Sequence, residues 1–392
     1  MAGRQTAEWL KGLDVMSRVA VIRCDTYERE EVAAAVRQAA QSLGTEIASS
    51  GEKVLLKPNL IEALPPEASG TTHPEVVRAL VGLFREKGAE VYIGDSSRFG
   101  NVGNTSKAFE VCGMARVAEE EGVELVNLEA DDVIKETPER DILQKIYPAK
   151  TLEAFDRIVS IPKLKTHMLM KFSGAPKNLV GCIPGGGKAL AHAIGNTTEK
   201  FARMVVALTK VLKPSLSVMD GIWGMEGNGP VYGEPRKLGL IFASENPFAL
   251  DWVASGRIGY EPREVEIIAS AIEEGELVPE EIEVIGDKVL QVDFLKPTEE
   301  KARHILDHFL SRLSAVTFAV RVPRPTVDKS KCTRCGECVE KCPEGVISLG
   351  SRVKIDYSGC IYCYYCMRVC PEEAIVLTNP RMVKFVKRVL KI

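Results

Sequence analysis

Eight of the eleven cysteines of this chain lie between Cys332 and Cys370, and the other three are scattered over the preceding residues. The eight form two runs, CTRCGECVEKCPEGVISL and CIYCYYCMRVCPEEAIVL, which align at an offset of 28 residues. Each run has the pattern C-x2-C-x2-C-x3-C-P. A disulfide scaffold spreads its cysteines through a short secreted chain, so this clustering indicates a metal module instead.

The spacing predicts which cysteines share a metal centre. Three closely spaced thiolates bind three corners of a cubane cluster, and the fourth cysteine, ahead of a proline, serves the other cluster. The pattern resembles the bacterial two-cluster ferredoxins over about fifty residues. We therefore predict two [4Fe-4S] clusters; the alternative of two zinc sites is weaker, because zinc modules rarely repeat all four cysteines in this way. The first set of ligands is Cys332, Cys335, Cys338 and Cys370, and the second set is Cys360, Cys363, Cys366 and Cys342.

The segments around this repeat suggest the domain boundaries. We place the iron–sulfur domain, a small ferredoxin-like α+β unit, at residues 326–379. The preceding segment RVPRPTVDKS has two prolines and no periodicity, which indicates a linker or a domain boundary. Residues 380–392 predict a basic amphipathic helix that either closes on the protein's own body or lies on a membrane or an acidic partner.

Residues 1–320 predict an α/β body. Strand-like segments such as RVAVIRC and EKVLLKP alternate with helix-like segments such as EREEVAAAVRQAAQSLG, which favours a largely parallel sheet. We expect two lobes, divided between residues 130 and 155. Thr72 and Glu75 predict a capping box at the start of the helix HPEVVRALVGLFREKG.

Polar residues follow several of the predicted strands, and ligands bind at the carboxyl ends of strands in such sheets. These residues therefore form a site hypothesis. They are Lys57 and Asn59, Asp95 and Ser96, Lys163 and Lys165, and Asp220.

A second signal is a window without acids. No Asp or Glu occurs from Arg157 to Thr198, where the composition would place about six. The lysines there lack nearby carboxylates, so a bound carboxylate or phosphate is the natural counter-charge, and the glycines let backbone amides approach it. The alternative is a solvated basic surface. A P-loop is excluded, because Cys182 replaces its first glycine and Ala189 its Ser or Thr. The cations of the window are Lys163, Lys165, Lys171, Lys177 and Lys188, with His167 and His192.

The other candidate residues carry open alternatives. His167 and His192 either donate protons near neutral pH or are satisfied core groups. His73 lies at a helix start, and its simplest interpretation is a capping or packing role. For His304 and His308 we expect a surface or packing role. Cys182 is either an activated thiol or an inert buried one. The segment DGIWGMEGNGPVYGEP predicts a glycine-rich loop that closes over a ligand near Asp220, with Trp223 as a stacking face.

The composition narrows the classes of partner. A net charge of −3 gives no reason to expect nucleic acid. The first residues lack the apolar core of a signal peptide, and no apolar run is long enough for a membrane span. We therefore expect a cytoplasmic protein.

Six short motifs resemble the family called domain of unknown function 362, over nearly the whole chain. They are KPN at 57–59, THP at 72–74, GDS at 94–96, PKLKTH at 162–167, KNLVG at 177–181 and MDG at 219–221. Members similar to this chain often carry a C-terminal two-cluster ferredoxin domain. The resemblance implies an iron–sulfur protein of anaerobic or microaerobic microbes, with reductase activity as an expectation, but it supplies no substrate.

Two main functions follow as hypotheses. In the first, a reductase takes single electrons from a carrier such as a ferredoxin or flavodoxin and passes them to an anionic small molecule. Lys57, Lys163, Lys165 and Lys177 would then hold the anion, with Asn59, Asn178, His73 and Asp95 beside it. His167 or His192 would supply protons, oriented by Asp220. In the second, an electron-transfer or iron–sulfur maturation protein docks an acidic partner on its basic window. A non-redox enzyme with structural clusters is a third option. No G-x-G-x-x-G fingerprint for a flavin or nicotinamide follows the first strand.

Overall fold

The computed structural model of the protein describes residues 16–97, 104–298 and 322–378. The strands are β1 Ser17–Arg23, β2 Lys53–Pro58, β3 Glu90–Asp95, β4 Glu124–Asn127, β5 Arg157–Ile161, β6 Lys163–His167, β7 Lys171–Ser173, β8 Leu216–Glu226, β9 Glu234–Ser244, β10 Ile282–Gly286, β11 Arg324–Val327, β12 Ile347–Leu349, β13 Val353–Ile355 and β14 Ile375–Thr378. The helices are α1 Arg29–Leu43, α2 Pro74–Glu86, α3 Asn104–Val111, α4 Met114–Glu121, α5 Arg140–Leu143, α6 Ala175–Asn178, α7 Gly187–Ile194, α8 Thr198–Leu212, α9 Pro247–Arg257, α10 Glu266–Glu273, α11 Glu337–Glu340 and α12 Tyr365–Arg368.

One large sheet organises the body. Its order is β10-β1-β9-β8-β5-β2-β3-β4, and β6 pairs with β8 and with β7. The run from β8 through β5, β2 and β3 to β4 is parallel, whereas β9 is antiparallel to both of its neighbours. The predicted α/β class with a mostly parallel sheet is confirmed. Strands on both sides of residues 130–155 join this one sheet, and the division into two lobes stays a prediction.

The central strands are apolar on both faces because helices cover the sheet on both sides. Successive side chains of a strand point to opposite faces. In β2, Leu55 belongs to the core that also contains Val205 of α8. Its neighbours Val54 and Leu56 belong to the other core, with Leu80 of α2.

The start of α2 differs from the prediction. His73 is the N-cap, and its Nδ1 accepts a hydrogen bond from the backbone N–H of Glu75 at 3.2 Å. The Thr72 hydroxyl instead donates to the carbonyl of Ile161 at 2.6 Å. The capping box of Thr72 and Glu75 is therefore wrong, because the cap lies one residue later and Thr72 joins α2 to the end of β5.

The predicted glycine-rich loop is also wrong over most of its length. β8 continues to Glu226 and pairs with β9, so only residues 227–233 connect the two strands. Gly224 lies inside the strand, where a Cβ atom would stand 2.7 Å from Leu164 Cδ2. The glycines here permit close packing and do not provide a lid.

The C-terminal unit contains two small antiparallel sheets, β11 with β14 and β12 with β13. The separate small domain is confirmed. The segment around Pro325 forms β11, so its interpretation as a linker is wrong for Arg324–Val327. Proline is accommodated in such an edge strand. The predicted helix at 380–392, His304 and His308 lie outside the described residues. Within the described ranges, no helix combines the length and apolarity that crossing a membrane requires.

Candidate functional site

The ends of β2 and β3 bring a lysine and an aspartate together in the interior. Lys57 Nζ lies 2.6 Å from Asp95 Oδ1, and the side chains are 1% and 3% exposed. Asp95 also accepts the backbone N–H groups of Leu60 and Ser96 at 2.9 and 2.7 Å. A buried carboxylate with this many donors is a fixed element of the site.

Two asparagines extend this pair toward β6. Asn178 Oδ1 accepts from Lys57 Nζ at 3.3 Å and from Asn59 Nδ2 at 3.1 Å. Asn59 Oδ1 in turn accepts from Lys165 Nζ at 2.5 Å. The network is therefore continuous from Asp95 to Lys165, and each asparagine amide fixes the position of a lysine.

A second buried group surrounds Asp220 of β8. Lys163 Nζ lies 2.9 Å from Asp220 Oδ2 and donates to the Tyr27 hydroxyl at 2.8 Å. Tyr27 donates to Asp220 Oδ1 at 2.9 Å, and its ring stacks on His73 with 3.6 Å between the ring centroids. Tyr27 is not among the site residues that the sequence predicts. Its position shortly after β1 is the signal that could have found it.

The remaining lysines of the site have no carboxylate partner within the described residues. Lys165 donates to Asn59 Oδ1 and to the carbonyl of Gly70 at 2.8 Å, and Lys188 donates to Ser96 Oγ at 2.5 Å and to the carbonyl of Ile183 at 2.9 Å. Burial lowers the pKa of Lys177 and of Lys188 to about 8. Burial, with the positive charge of Lys177, also holds the pKa of Lys165 well below its usual value.

The prediction that lysines of the window lack carboxylate partners is wrong for Lys163. Asp95 and Asp220, which lie far away in the sequence, neutralise Lys57 and Lys163. The argument for an anion still applies to Lys165, Lys177 and Lys188. The alternative of a solvated basic surface is wrong for Lys163, Lys165 and Lys188, which are buried at 1%, 1% and 7% exposure, whereas the Lys171 side chain is 42% exposed.

The histidines differ in their surroundings. Nδ1 of the buried His167 accepts the backbone N–H groups of Leu169 and Met170 at 3.1 and 3.2 Å. Burial, with the nearby charge of Lys177, lowers its pKa well below 6.5. The neutral ring therefore carries its proton on Nε2 and acts as a hydrogen-bond donor. His192 is exposed and stacks on Phe201 at 4.5 Å. Burial lowers the pKa of His73 to about 4.

The glycines of the basic window serve two different close approaches. A Cβ at Gly181 would lie 2.4 Å from Asp95 Oδ1 and 2.6 Å from Lys57 Nζ. The run Gly185–Gly187 instead faces the iron–sulfur domain. The backbone N–H of Gly186 donates to the carbonyl of Tyr362 at 2.9 Å, and a Cβ at Gly185 would lie 2.6 Å from the ring of Tyr364. The run therefore packs against the loop of the iron–sulfur domain that contains Tyr362 and Tyr364. The expectation that its backbone amides face a ligand is wrong for Gly186.

The cysteines fit two cubane clusters. One cavity is lined by all of Cys332, Cys335, Cys338 and Cys370. A second cavity is lined by all of Cys342, Cys360, Cys363 and Cys366. Each cavity mixes cysteines from both runs in the predicted way, because the fourth cysteine of a run faces the other centre. Cys182 is buried elsewhere, and burial raises its pKa to about 12, which makes it an inert thiol.

Comparison with known proteins places the chain in a family. The model of the domain of unknown function DUF362 matches residues 54–256, and that of the 4Fe-4S dicluster domain matches residues 324–371. The chain belongs to the DUF362 family. This DUF362 protein therefore combines the family's domain with a module for two [4Fe-4S] clusters, whose electron-transfer chemistry implies a redox partner.

Two similar proteins bear on this DUF362 protein to different degrees. The thylakoid-associated protein sll1697 of Synechocystis sp. is 32% identical over 259 residues, which are 65% of this chain and 79% of that protein. The lactate racemase apoprotein of Thermoanaerobacterium thermosaccharolyticum is 12% identical, with a TM-score of 0.37. The match covers 59% of this chain and 54% of the racemase, and nothing about fold or activity follows at that level.

Proposed function

We propose that this protein is an iron–sulfur oxidoreductase that transfers single electrons from a carrier to an anionic small molecule at the buried lysine site. One observation carries the proposal. The run Gly185–Gly187 contacts the loop of the second cysteine set, and the next residue, Lys188, reaches Ser96 beside Asp95. The iron–sulfur module and the lysine network are thus joined by four consecutive residues. The bound clusters supply one-electron chemistry, which organic substrates cannot obtain from side chains alone.

The residues of the site divide into those that bind and those that position. Lys165, Lys177 and Lys188 form no ion pair with a carboxylate of the described residues. A substrate carboxylate or phosphate would favour their protonated forms and supply the missing counter-charge. Asn59 and Asn178 position the lysines through the hydrogen bonds given above. Asp220 holds Lys163 and the backbone N–H of His73, the latter at 2.9 Å.

The proton donor that fits the site best is Lys177. A general acid works best when its pKa lies near the operating pH, and the pKa of Lys177 is about 8. His167 is neutral, and its Nδ1 is occupied, so we assign to its Nε2–H the binding of a substrate oxygen. His192 stays a candidate for proton transfer from the exposed side.

The alternative of a carrier or maturation protein receives less support from the site. Its basic window would have to dock an acidic partner at the surface, whereas Lys163, Lys165 and Lys188 are buried. The cytoplasmic location, the anaerobic host and a ferredoxin or flavodoxin as the carrier stay predictions.

Anion binding tests the proposal. We would titrate the anaerobic, cluster-loaded protein with inorganic phosphate, sulfate and succinate by calorimetry, and repeat the titrations with Lys177→Met. Loss of one charge-assisted hydrogen bond should weaken the binding free energy by about 1.5–3 kcal/mol. The affinity for the probe that binds most tightly should therefore fall roughly 10–100-fold. Lys200→Met on the exposed start of α8 is the matched control and should bind normally. Equal affinities in Lys177→Met and the unmodified protein, or binding of none of the probes, would contradict the proposal.

A further inference from the structure

The two cysteine sets differ in their exposure to solvent. Cys335 of the first set is exposed, and Cys332 and Cys370 are partly exposed. Cys338 of the first set is buried. In the second set Cys363 and Cys366 are buried and Cys342 and Cys360 are partly exposed, so only the first set has a fully exposed cysteine. The body contributes to this difference, because Cys363 packs against its residues Val133 and Tyr147.

The second set lies against the body through its own ligand loop. Ile361 and Cys363 pack with Val133 and Tyr147, and Tyr362 and Tyr364 pack with Ala189. The Gly186 N–H bond to the Tyr362 carbonyl and a backbone bridge between Asp131 and Tyr364 fix this loop. The body therefore forms part of the surroundings of the second cluster.

Two ion pairs hold the same side of the module. Arg368 lies 2.9 Å from Asp131, whose side chain is 4% exposed. Lys135 lies 2.9 Å from Glu344, two residues after the ligand Cys342, and also donates to the carbonyl of Pro343. The Arg368–Asp131 pair has a buried partner, so salt screens it less than an exposed pair, and together the two pairs favour this orientation of the module.

The segment of the body that contacts the second cysteine set continues into the lysine site. Gly186 contacts Tyr362, and two residues later Lys188 places its ammonium group on Ser96 Oγ and on the carbonyl of Ile183. Ser96 in turn donates its backbone N–H to Asp95 Oδ1, the partner of Lys57. The cluster loop is thus linked to the site by one hydrogen bond to Gly186, the backbone from Gly186 to Lys188, and the hydrogen bonds of Lys188 and Ser96.

We infer that the second set holds the cluster that delivers electrons to the lysine site, and that the first set holds the cluster that receives them from an external one-electron carrier protein. The inference rests on the proposed function. The carrier loses one electron at the exposed side for each electron that reaches the substrate, and two such transfers with two protons from solvent complete a two-electron reduction.

The first test changes the contact between Gly186 and the loop of the second cysteine set without replacing a cysteine ligand. A valine at position 186 would bring its Cβ to 2.7 Å from Val322 Cγ1 and 2.8 Å from Tyr362 Cβ. We expect Gly186→Val to shift the reduction potential and the EPR line shape of one cluster and to leave those of the other unchanged. Gly350→Ala is the matched control within the module, because a Cβ there finds no atom nearer than the Arg352 carbonyl oxygen at 4.0 Å. It should shift neither cluster.

The second test identifies the solvent-facing cluster independently. A soluble dysprosium chelate speeds the spin relaxation of a nearby reduced cluster. In the unmodified protein it should act on one cluster only, the one that Gly186→Val does not shift. Leu349→Glu assigns this cluster to the first set, because Leu349 is 47% exposed and lies 4.0 Å from the Cβ position of Gly336, next to Cys335. The added carboxylate should lower the potential of the chelate-sensitive cluster.

The inference is overturned if the chelate reaches both clusters equally, or if Gly186→Val shifts the chelate-sensitive cluster or neither cluster. If Gly186→Val fails to fold, Asp131→Asn combined with Lys135→Ala removes both ion pairs and should shift the same single potential. All these measurements are made without substrate. Their failure is therefore distinct from a failure of anion binding, which tests the proposed function.

Discussion

At the scale of single residues, the site depends on the absence of one side chain. Gly181 passes so close to Lys57 and Asp95 that a Cβ atom at this position would collide with both partners of the buried pair. The two residues come from neighbouring parallel strands, and their carboxyl ends meet at one edge of the sheet. A glycine at position 181 is therefore as much a part of the site as the charged residues.

Replacing this glycine tests that view. Gly181→Ala would force a Cβ into contact with both charged groups, and we expect a loss of roughly 1–3 kcal/mol in the free energy of unfolding, as for other overpacked cores. Urea unfolding followed by circular dichroism measures it. Gly82→Ala in α2 is the control, because a Cβ there meets no atom within 4 Å, and alanine should leave the stability unchanged or raise it by up to about 1 kcal/mol. An unaffected Gly181→Ala variant would show that the pair is less tightly enclosed than described.

The lysines also predict a pH dependence of anion binding. The pKa values of Lys177 and Lys188 are about 8, below the usual 10.5. An anion binds the protonated form, so binding raises these pKa values and takes up protons. Affinity should be highest below pH 8 and fall above it, by up to about tenfold per pH unit for each lysine involved. Calorimetry in buffers of different ionisation enthalpy measures the proton uptake. Binding that is independent of pH between 7 and 10 would remove the lysines from the site.

At the scale of elements, β6 and β8 decide which residues become buried. The segment KLKTH is itself a strand beside β8, and all five of its residues are buried. Alternation along the strand places Lys163 and Lys165 on one face and Leu164, which belongs to the core with Val205, on the other. On its other side β8 pairs with β9, so Asp220 lies within the hydrogen-bonded sheet and not in a loop.

Hydrogen exchange distinguishes a paired β-strand from the predicted glycine-rich loop in this segment. Amides of Ile222–Glu226 that bond to β9 should exchange on the order of 100-fold more slowly than those of residues 227–233, because ladder bonds open only through larger unfolding events. Mass spectrometry of peptic fragments measures this difference. Equal fast exchange over residues 220–233 would restore the predicted glycine-rich loop.

At the scale of the whole molecule, chain segments far apart in sequence meet where the two domains contact each other. The iron–sulfur module contacts residues 131–135 and 185–189, and Lys188 of the second segment connects to the lysine network through Ser96. Under the proposed function, the substrate would bind in one domain and the electrons would come from the other, which suits clusters that bind organic substrates poorly.

An anaerobic reductive titration examines the redox inventory of the whole molecule. Two ferredoxin-type cubanes accept one electron each, so the cluster-loaded protein should take up two electrons per chain. EPR spectroscopy follows the reduction. An uptake above two electrons would reveal a further redox centre and contradict the view that the C-terminal pair is the whole redox machinery.

The sequence by itself determined the metal module, because cysteine spacing acts locally and each ligand loop carries its own pattern. It also determined the α/β class, since alternating strand and helix patterns need no knowledge of contacts. Strand ends identified Lys57, Asn59, Asp95 and Asp220 as candidates. These predictions depend on short-range regularities.

The tertiary structure alone decided which charges meet. Asp95 and Asp220 neutralise Lys57 and Lys163 across 38 and 57 positions of the sequence, so a local absence of acids could not reveal the pairing. Tyr27 enters the site by the same kind of distant contact. The contact of Gly186 with the loop of the second cysteine set likewise depends on packing between domains. Desolvation and ion pairing are fixed by proximity in space, and proximity is a property of the fold.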